Sequence, residues 1–247
     1  MENKRVALVT GASRGIGAGV AKYLISKGYF VHGTYFKDKD LIKKSLGSDE
    51  NAAAHHLDVG DEAEVKKVLA DVKKISGGLQ LLVNNAAVDF QIPIEEMTLD
   101  QWNETFAVRC TGTFLMTKYA IPFLKENERS TVINITSSFA HETQPDLPAA
   151  AAAEAAKMNF TKTMAIALAK YGIRTHSVNP GVTRTPLWDP WGVSDEGWEK
   201  MAKANPLGRN CTPEDVARII VYLDSEEAAY LNGEEIYTNG GNHLRNF

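Results

Sequence analysis

Apolar runs alternate with amphipathic stretches along all 247 residues. The apolar runs predict strands over Val6–Thr10, Phe30–Tyr35, Ala53–Leu57, Leu79–Val83, Thr131–Thr136, Thr175–Val178 and Glu235–Tyr237. Helical periodicity marks Ile16–Lys27, Glu62–Ile75, Leu99–Lys125, Ala149–Tyr171 and Pro213–Leu223. Strands and helices in alternation predict an α/β protein, a parallel sheet with helices on both faces. Several runs are apolar without interruption, as strands are when both faces are covered. No repeat or long linker divides the chain, so residues 1–247 are expected to form one domain. The one long irregular segment, Pro180–Asn210, is rich in Pro, Gly and Trp, and residues 183–210 are expected to form a mobile loop over a substrate.

Composition narrows the classes. With 44% apolar and 23% charged residues the chain can bury a sizeable core. A net charge of −4 gives no sign of a nucleic-acid partner. The basic clusters at Lys37–Lys44 and Lys66–Lys74 are interrupted by acids and read as solvated helix faces. Cys110 and Cys211 form no metal or redox motif and are expected to be buried free thiols. The opening MENKRVALVTGAS has an apolar run too short for a signal peptide or a spanning helix, so a cytoplasmic protein is expected.

The first strand runs into TGASRGIG, Thr10–Gly17, and then a helix. Gly11, Gly15 and Gly17 allow a tight turn and close approach of a phosphate, which the helix N-terminus would hold with free N–H groups and its dipole. A purely structural turn is the other reading of such a loop.

Further motifs follow in order: LDV (Leu57–Val59), NNAA (Asn84–Ala87), VINITSS (Val132–Ser138), NPGVTRT (Asn179–Thr185), PLGRNCTPEDVA (Pro206–Ala217) and NGG (Asn239–Gly241). Together with the glycine loop, this series resembles the short-chain dehydrogenase/reductase family over nearly the whole chain. The resemblance implies a single doubly wound, Rossmann-type sheet and a nicotinamide cofactor. It places that cofactor on Gly11, Ser13, Arg14, Gly15, Ile16 and Gly17, on Asp58 and Val59, on Asn85 and Ala86, and on Pro180, Gly181, Val182, Thr183 and Thr185. An NAD-selective site would carry a carboxylate at the end of the second strand. Tyr35 stands there instead, and Arg14 and Lys37 are placed to meet a 2′-phosphate, so NADP(H) is expected.

The same resemblance predicts a catalytic Asn, Ser, Tyr and Lys. Ser137 is the serine. The tyrosine position falls on Ala150, the lysine position on Glu154 and the asparagine position on Arg109. Lys157, three positions beyond Glu154, lies about 300° around the helix axis and cannot simply stand in. Four explanations remain: an engineered inactive chain, a non-catalytic binding subunit, a hydride transfer that needs no acid, or a non-redox cyclase or isomerase that uses the emptied pocket. Losing general acid catalysis costs about 10²–10⁴ in rate for a ketone. An iminium ion or a conjugated C=C escapes that cost, because neither yields an alkoxide.

Candidate roles follow for the remaining groups. Glu154 would stabilise a cationic substrate or the oxidised cofactor, or is an exposed helix glutamate. Arg109 would face an oxyanion, or pairs with a nearby acid such as Glu154. Asp146 is a candidate proton donor in the loop before Ala150, or a turn residue between Pro145 and Pro148; His141 and Glu142 share its ambiguity. Arg109 and Asp146 make the site similar to the fungal reductases of prenylated indole alkaloid pathways. Those enzymes reduce an iminium-type dioxopiperazine and guide an intramolecular [4+2] closure, which that resemblance extends to this chain. Phe139, Leu187, Trp188 and Trp191, with space left by Ala150, are the expected walls for a large apolar or cationic small molecule. Trp198, Met201, Phe90 and Trp102 belong either to that wall or to the core. A homotetramer built through the Leu99–Lys125 and Ala149–Tyr171 helices is the family habit.

Overall fold

The computed structural model describes residues 4–47, 50–142 and 144–244. Among these residues seven parallel strands form one sheet: β1 (Val6–Val9), β2 (Phe30–Tyr35), β3 (Ala52–His56), β4 (Leu81–Asn84), β5 (Ser130–Ile135), β6 (Ile173–Pro180) and β7 (Glu235–Thr238). Their spatial order is β3-β2-β1-β4-β5-β6-β7. The order reverses direction between β1 and β4, the switch point where ligands bind in such sheets. All seven predicted strands are present, with ends shifted by a few residues at most.

The helices are α1 (Gly15–Ser26), α2 (Lys39–Leu46), α3 (Glu62–Ser76), α4 (Leu99–Phe106), α5 (Gly112–Leu124), α6 (Pro148–Ala169), α7 (Asp195–Ala204) and α8 (Pro213–Asp224). The predicted helix Leu99–Lys125 is interrupted by a π turn, Ala107–Thr111, which carries Arg109. The segment expected to be irregular holds α7 and a 3₁₀ turn, Pro186–Trp191. Ser194 starts α7 by accepting from the Gly197 N–H, and Asp195 and Glu196 complement the helix dipole.

The uninterrupted apolar strands have a direct cause. In β1, Ala7 and Val9 pack against α1 and α8 through Val20, Leu24 and Ile220, while Val6 and Leu8 pack on the other face with Val65, Leu69 and Met116. Each face of the sheet thus has its own core. A polar ladder crosses the second layer: Asn84 donates to Asn134 at 2.8 Å, and Asn134 donates to Thr161 of α6 at 2.8 Å. It ties β4 and β5 to α6, the helix that begins with the alanine run. Cys211 is buried and Cys110 half-buried, both as free thiols. Among the described residues no helix is long and apolar enough to cross a membrane.

Candidate active site

At the carboxyl ends of β1, β2, β4, β5 and β6 lies a cleft of about 1190 Å³. One end is a phosphate cradle. Gly11 and Gly15 have φ of +64° and +58°, the left-handed region that glycine enters freely. Gly17 is demanded by packing: a Cβ there would sit 2.3 Å from the Gly11 carbonyl oxygen. Arg14 precedes α1 without a side-chain cap, and the first turn holds no acid, so its N–H groups are left for an anion. Thr10 fixes the neighbouring loop: its Oγ1 accepts from the Asn85 and Ala86 N–H groups at 2.9 and 3.0 Å. Asn85 Nδ2 in turn donates to the Thr10 carbonyl at 2.9 Å. These features fit a dinucleotide pyrophosphate.

Ser13, Ile16, Tyr35, Lys37, Asp58 and Val59 line the same end. Asp58 accepts from the Gly60 N–H at 2.9 Å. Arg14 and Lys37 are exposed on the wall. The sequence argument that no acid faces them needs correction, because Asp38 lines the wall too. Asp58 and Asp61 line the cleft as well, so acids stand beside these two cations. Pro180, Gly181, Val182, Thr183 and Thr185 line the cleft at the end of β6. There Thr183 donates to the Gly181 carbonyl at 2.8 Å, and a Cβ on Gly181 would meet Asn239 Cα at 2.8 Å.

Ser137 follows β5 with extended backbone and faces the cleft. Arg109 lines the cleft floor but is closed off. Its Nε donates to the Val88 carbonyl at 2.9 Å, Nη1 to Glu154 at 2.6 Å and Nη2 to Asp89 at 2.5 Å. Glu154 also pairs with Lys157 at 2.8 Å. Two cations and two carboxylates therefore form one neutral, buried network. Burial pulls the Arg109 guanidinium down, but Glu154 and Asp89 outweigh it and raise its pKa. For Lys157 burial wins: its pKa is lowered despite the attraction of Glu154.

Several sequence expectations are corrected here. Glu154 is neither an exposed helix glutamate nor a wall of the cleft; it has no exposed surface. Ala150 is buried in α6 and does not line the cleft, so its small side chain adds no substrate space there. Asp146 is exposed outside the cleft, and its backbone carbonyl accepts from the Ile92 N–H at 2.8 Å. His141 turns away to pair with Glu235 at 2.8 Å, whereas Glu142 faces the cleft.

Phe139, Leu187, Trp188 and Trp191 line the same cleft. Trp188 meets Trp191 edge-on at 4.4 Å and Trp198 at 5.3 Å. Trp198 is buried behind them, and Trp102 stacks on Phe106 away from the cleft. Asp89, missed in the sequence, is the acid that joins Arg109 to the cleft wall. Its only sequence signal is its place just after the NNAA motif, on the same strand-end loop.

Sheet order, phosphate cradle and cleft define a dinucleotide-binding α/β protein of the Rossmann type. A family profile described as enoyl-(acyl carrier protein) reductase matches residues 11–243. The chain belongs to the short-chain dehydrogenase/reductase family, and it is an oxidoreductase of that type. It is 36% identical to an uncharacterized oxidoreductase of Bacillus subtilis, over 98% of this chain and 91% of that protein. It is 33% identical to an acetoacetyl-CoA reductase of Shinella zoogloeoides, over 96% of this chain and 98% of the relative. A 3-ketoacyl-(acyl-carrier-protein) reductase of Brucella melitensis, solved with NADH, superposes with a TM-score of 0.90 at 29% identity, over 97% of this chain and 98% of that one.

Proposed function

We propose that the protein binds NADP(H) and transfers hydride to an acceptor that needs no tyrosine acid, an iminium ion or a conjugated C=C. The observation that carries this reading is the state of the two positions matched to the family's tyrosine and lysine. Ala150 has no proton to give, and Glu154 is buried in a neutral ion network outside the cleft. Of the four expected groups, only Ser137 faces the cleft in its expected identity.

When bound, the nicotinamide supplies the hydride. This chain's residues hold and orient the reactants. The cradle around Gly11, Gly15 and Gly17 and the start of α1 would hold the pyrophosphate. Arg14 and Lys37 would meet the 2′-phosphate. Ser137 would donate to, or accept from, the substrate beside the reacting carbon, and the Trp188–Trp191 pair would exclude water. The acceptor must already be electron-poor, because the protein offers no acid in the tyrosine position. We do not extend this function to ring closure: Arg109 is consumed by Asp89 and Glu154, and Asp146 lies outside the cleft.

The test is NADPH oxidation with cyclic iminium ions, conjugated enones and simple ketones. Turnover of the first or second class and not of ketones is expected. Ketone reduction by the natural chain, or no oxidation with any acceptor, overturns the reading; the latter favours a non-catalytic NADP-binding subunit. We also propose a homotetramer through the faces of α4, α5 and α6, where Leu99, Phe114 and Ile166 are exposed. A monomer by light scattering would overturn it.

A further inference from the structure

The cleft is lined by few cations. Its cationic lining residues, among those described, are Arg14, Lys37 and Arg109. The first two stand at the ribose end. Arg109 at the substrate end has all three guanidinium nitrogens engaged, so it presents no free donor direction to a ligand. Asp89 is likewise committed to Arg109.

Glu142 follows Phe139 by three residues, and its N–H donates to the Ser138 carbonyl at 2.8 Å. It lines the cleft and makes no ion pair among the described residues. Its surroundings are negative. Burial, then Glu235, then Glu142 push the nearby Tyr237 phenol up to about 12. The positive group of that corner, when protonated, is His141, which is held by Glu235. Phe139, Trp188 and Trp191 line the same cleft, aromatic surfaces that attract cations. Gln91 and Gln144 supply neutral polar groups, and Leu147 and Leu187 supply apolar wall.

We propose that Glu142 is a substrate-recognition residue and that the cleft takes an organic ammonium or iminium cation carrying an apolar body, with the charge beside Glu142 and the body against Trp188 and Trp191. The same arrangement rejects anions, because an incoming carboxylate or phosphate would meet Glu142 with no cation to pair with. The proposal deepens the hydride-transfer reading of this cleft by choosing a cationic acceptor over a neutral one.

The test reads binding, not turnover. The NADPH-saturated protein is titrated by calorimetry with phenethylamine, 2-phenylethanol and 3-phenylpropanoate, which share a ring and differ in charge. A charge-assisted hydrogen bond is worth about tenfold or more, so the amine should bind about tenfold tighter than the alcohol, with the acid weakest. Glu142→Gln should remove the preference for the amine while keeping the alcohol's affinity and the NADPH affinity. Glu142→Lys should turn the preference toward the acid. Equal or absent binding of all three, tightest binding of the acid, or an unchanged preference in both variants overturns the proposal. Failure of NADPH turnover with every acceptor would instead strike the hydride-transfer reading and leave the measured charge preference in place.

Discussion

Glu154 Oε1 accepts from Arg109 Nη1 at 2.6 Å, and both side chains are closed to solvent. The same oxygen holds Lys157 at 2.8 Å, while Glu154 Oε2 has no partner. One carboxylate therefore bridges two buried cations, Lys157 of α6 and Arg109 of the π turn. Removing one partner from a buried ion pair costs about 3–5 kcal/mol, chiefly by stranding the other charge. Glu154→Ala should lose stability in that range in chemical denaturation. A loss below about 1 kcal/mol, the value of exposed pairs, would show that the network is open to water.

Restoring the family pair should fail for the same reason. Ala150→Tyr with Glu154→Lys would set Arg109, Lys157 and the new lysine against Asp89 alone. We expect a lower midpoint of unfolding than for Ala150→Tyr by itself, and no gain of ketone reduction. A well-folded double variant that reduces ketones faster than the natural chain would mean that the network adapts freely and that the natural chain is a disabled ketone reductase.

The part of this site that sequence revealed was the local part. The glycine loop, the NNAA and PG segments and the strands follow from short-range spacing or from burial on both sheet faces. Arg109 illustrates the limit. Its partners Asp89 and Glu154 lie 20 and 45 residues away in sequence, so pairing depends on how the β4 loop, the π turn and α6 converge. Glu154 and Lys157 are three apart on α6, a spacing that permits a pair. Their burial, however, is set by the sheet and α4 rather than by that spacing. The α7 helix was hidden because neighbouring Pro, Gly and Trp residues read as loop.

Gly17→Ala tests the cradle. The new methyl group would lie 2.3 Å from the Gly11 carbonyl and 2.4 Å from Asn85 Nδ2, so the turn must open. NADPH affinity should fall about tenfold or more, a free-energy loss of about 1.4 kcal/mol. Circular dichroism should be unchanged, since α1 continues beyond the turn. Retained affinity would separate the cofactor site from this loop.

Cofactor choice should rest on charge at the ribose end. Arg14→Ala and Lys37→Ala should each weaken NADPH binding about tenfold, the value of a lost charge-assisted contact. NADH affinity should change little, because it lacks the phosphate. Fluorescence titration of both cofactors at two salt concentrations checks this; equal losses for NADH and NADPH would remove the 2′-phosphate assignment.

The sheet itself carries an acid-sensitive element. His32 in β2 bonds His55 at 2.8 Å and Ser76 at 2.7 Å, and burial followed by His55 lowers its pKa to about 3. His176 in β6 is lowered to about 4 by burial and then Arg174. Both are neutral in the fold, whereas the unfolded chain takes up their protons near the ordinary value of 6.5. Their stabilisation is therefore complete above pH 6.5 and is lost as pH falls toward the folded values. Each contributes a slope of up to about 1.4 kcal/mol per pH unit in that window. The carboxylate pairs add their own loss only at lower pH, since Asp215 is held below the usual range by Arg209. Denaturation between pH 7 and 5 should show stability falling with acid, and His32→Phe should flatten the slope even where its stability at neutral pH is reduced. An unchanged slope in that variant would mean that His32 already exchanges protons with water in the folded chain.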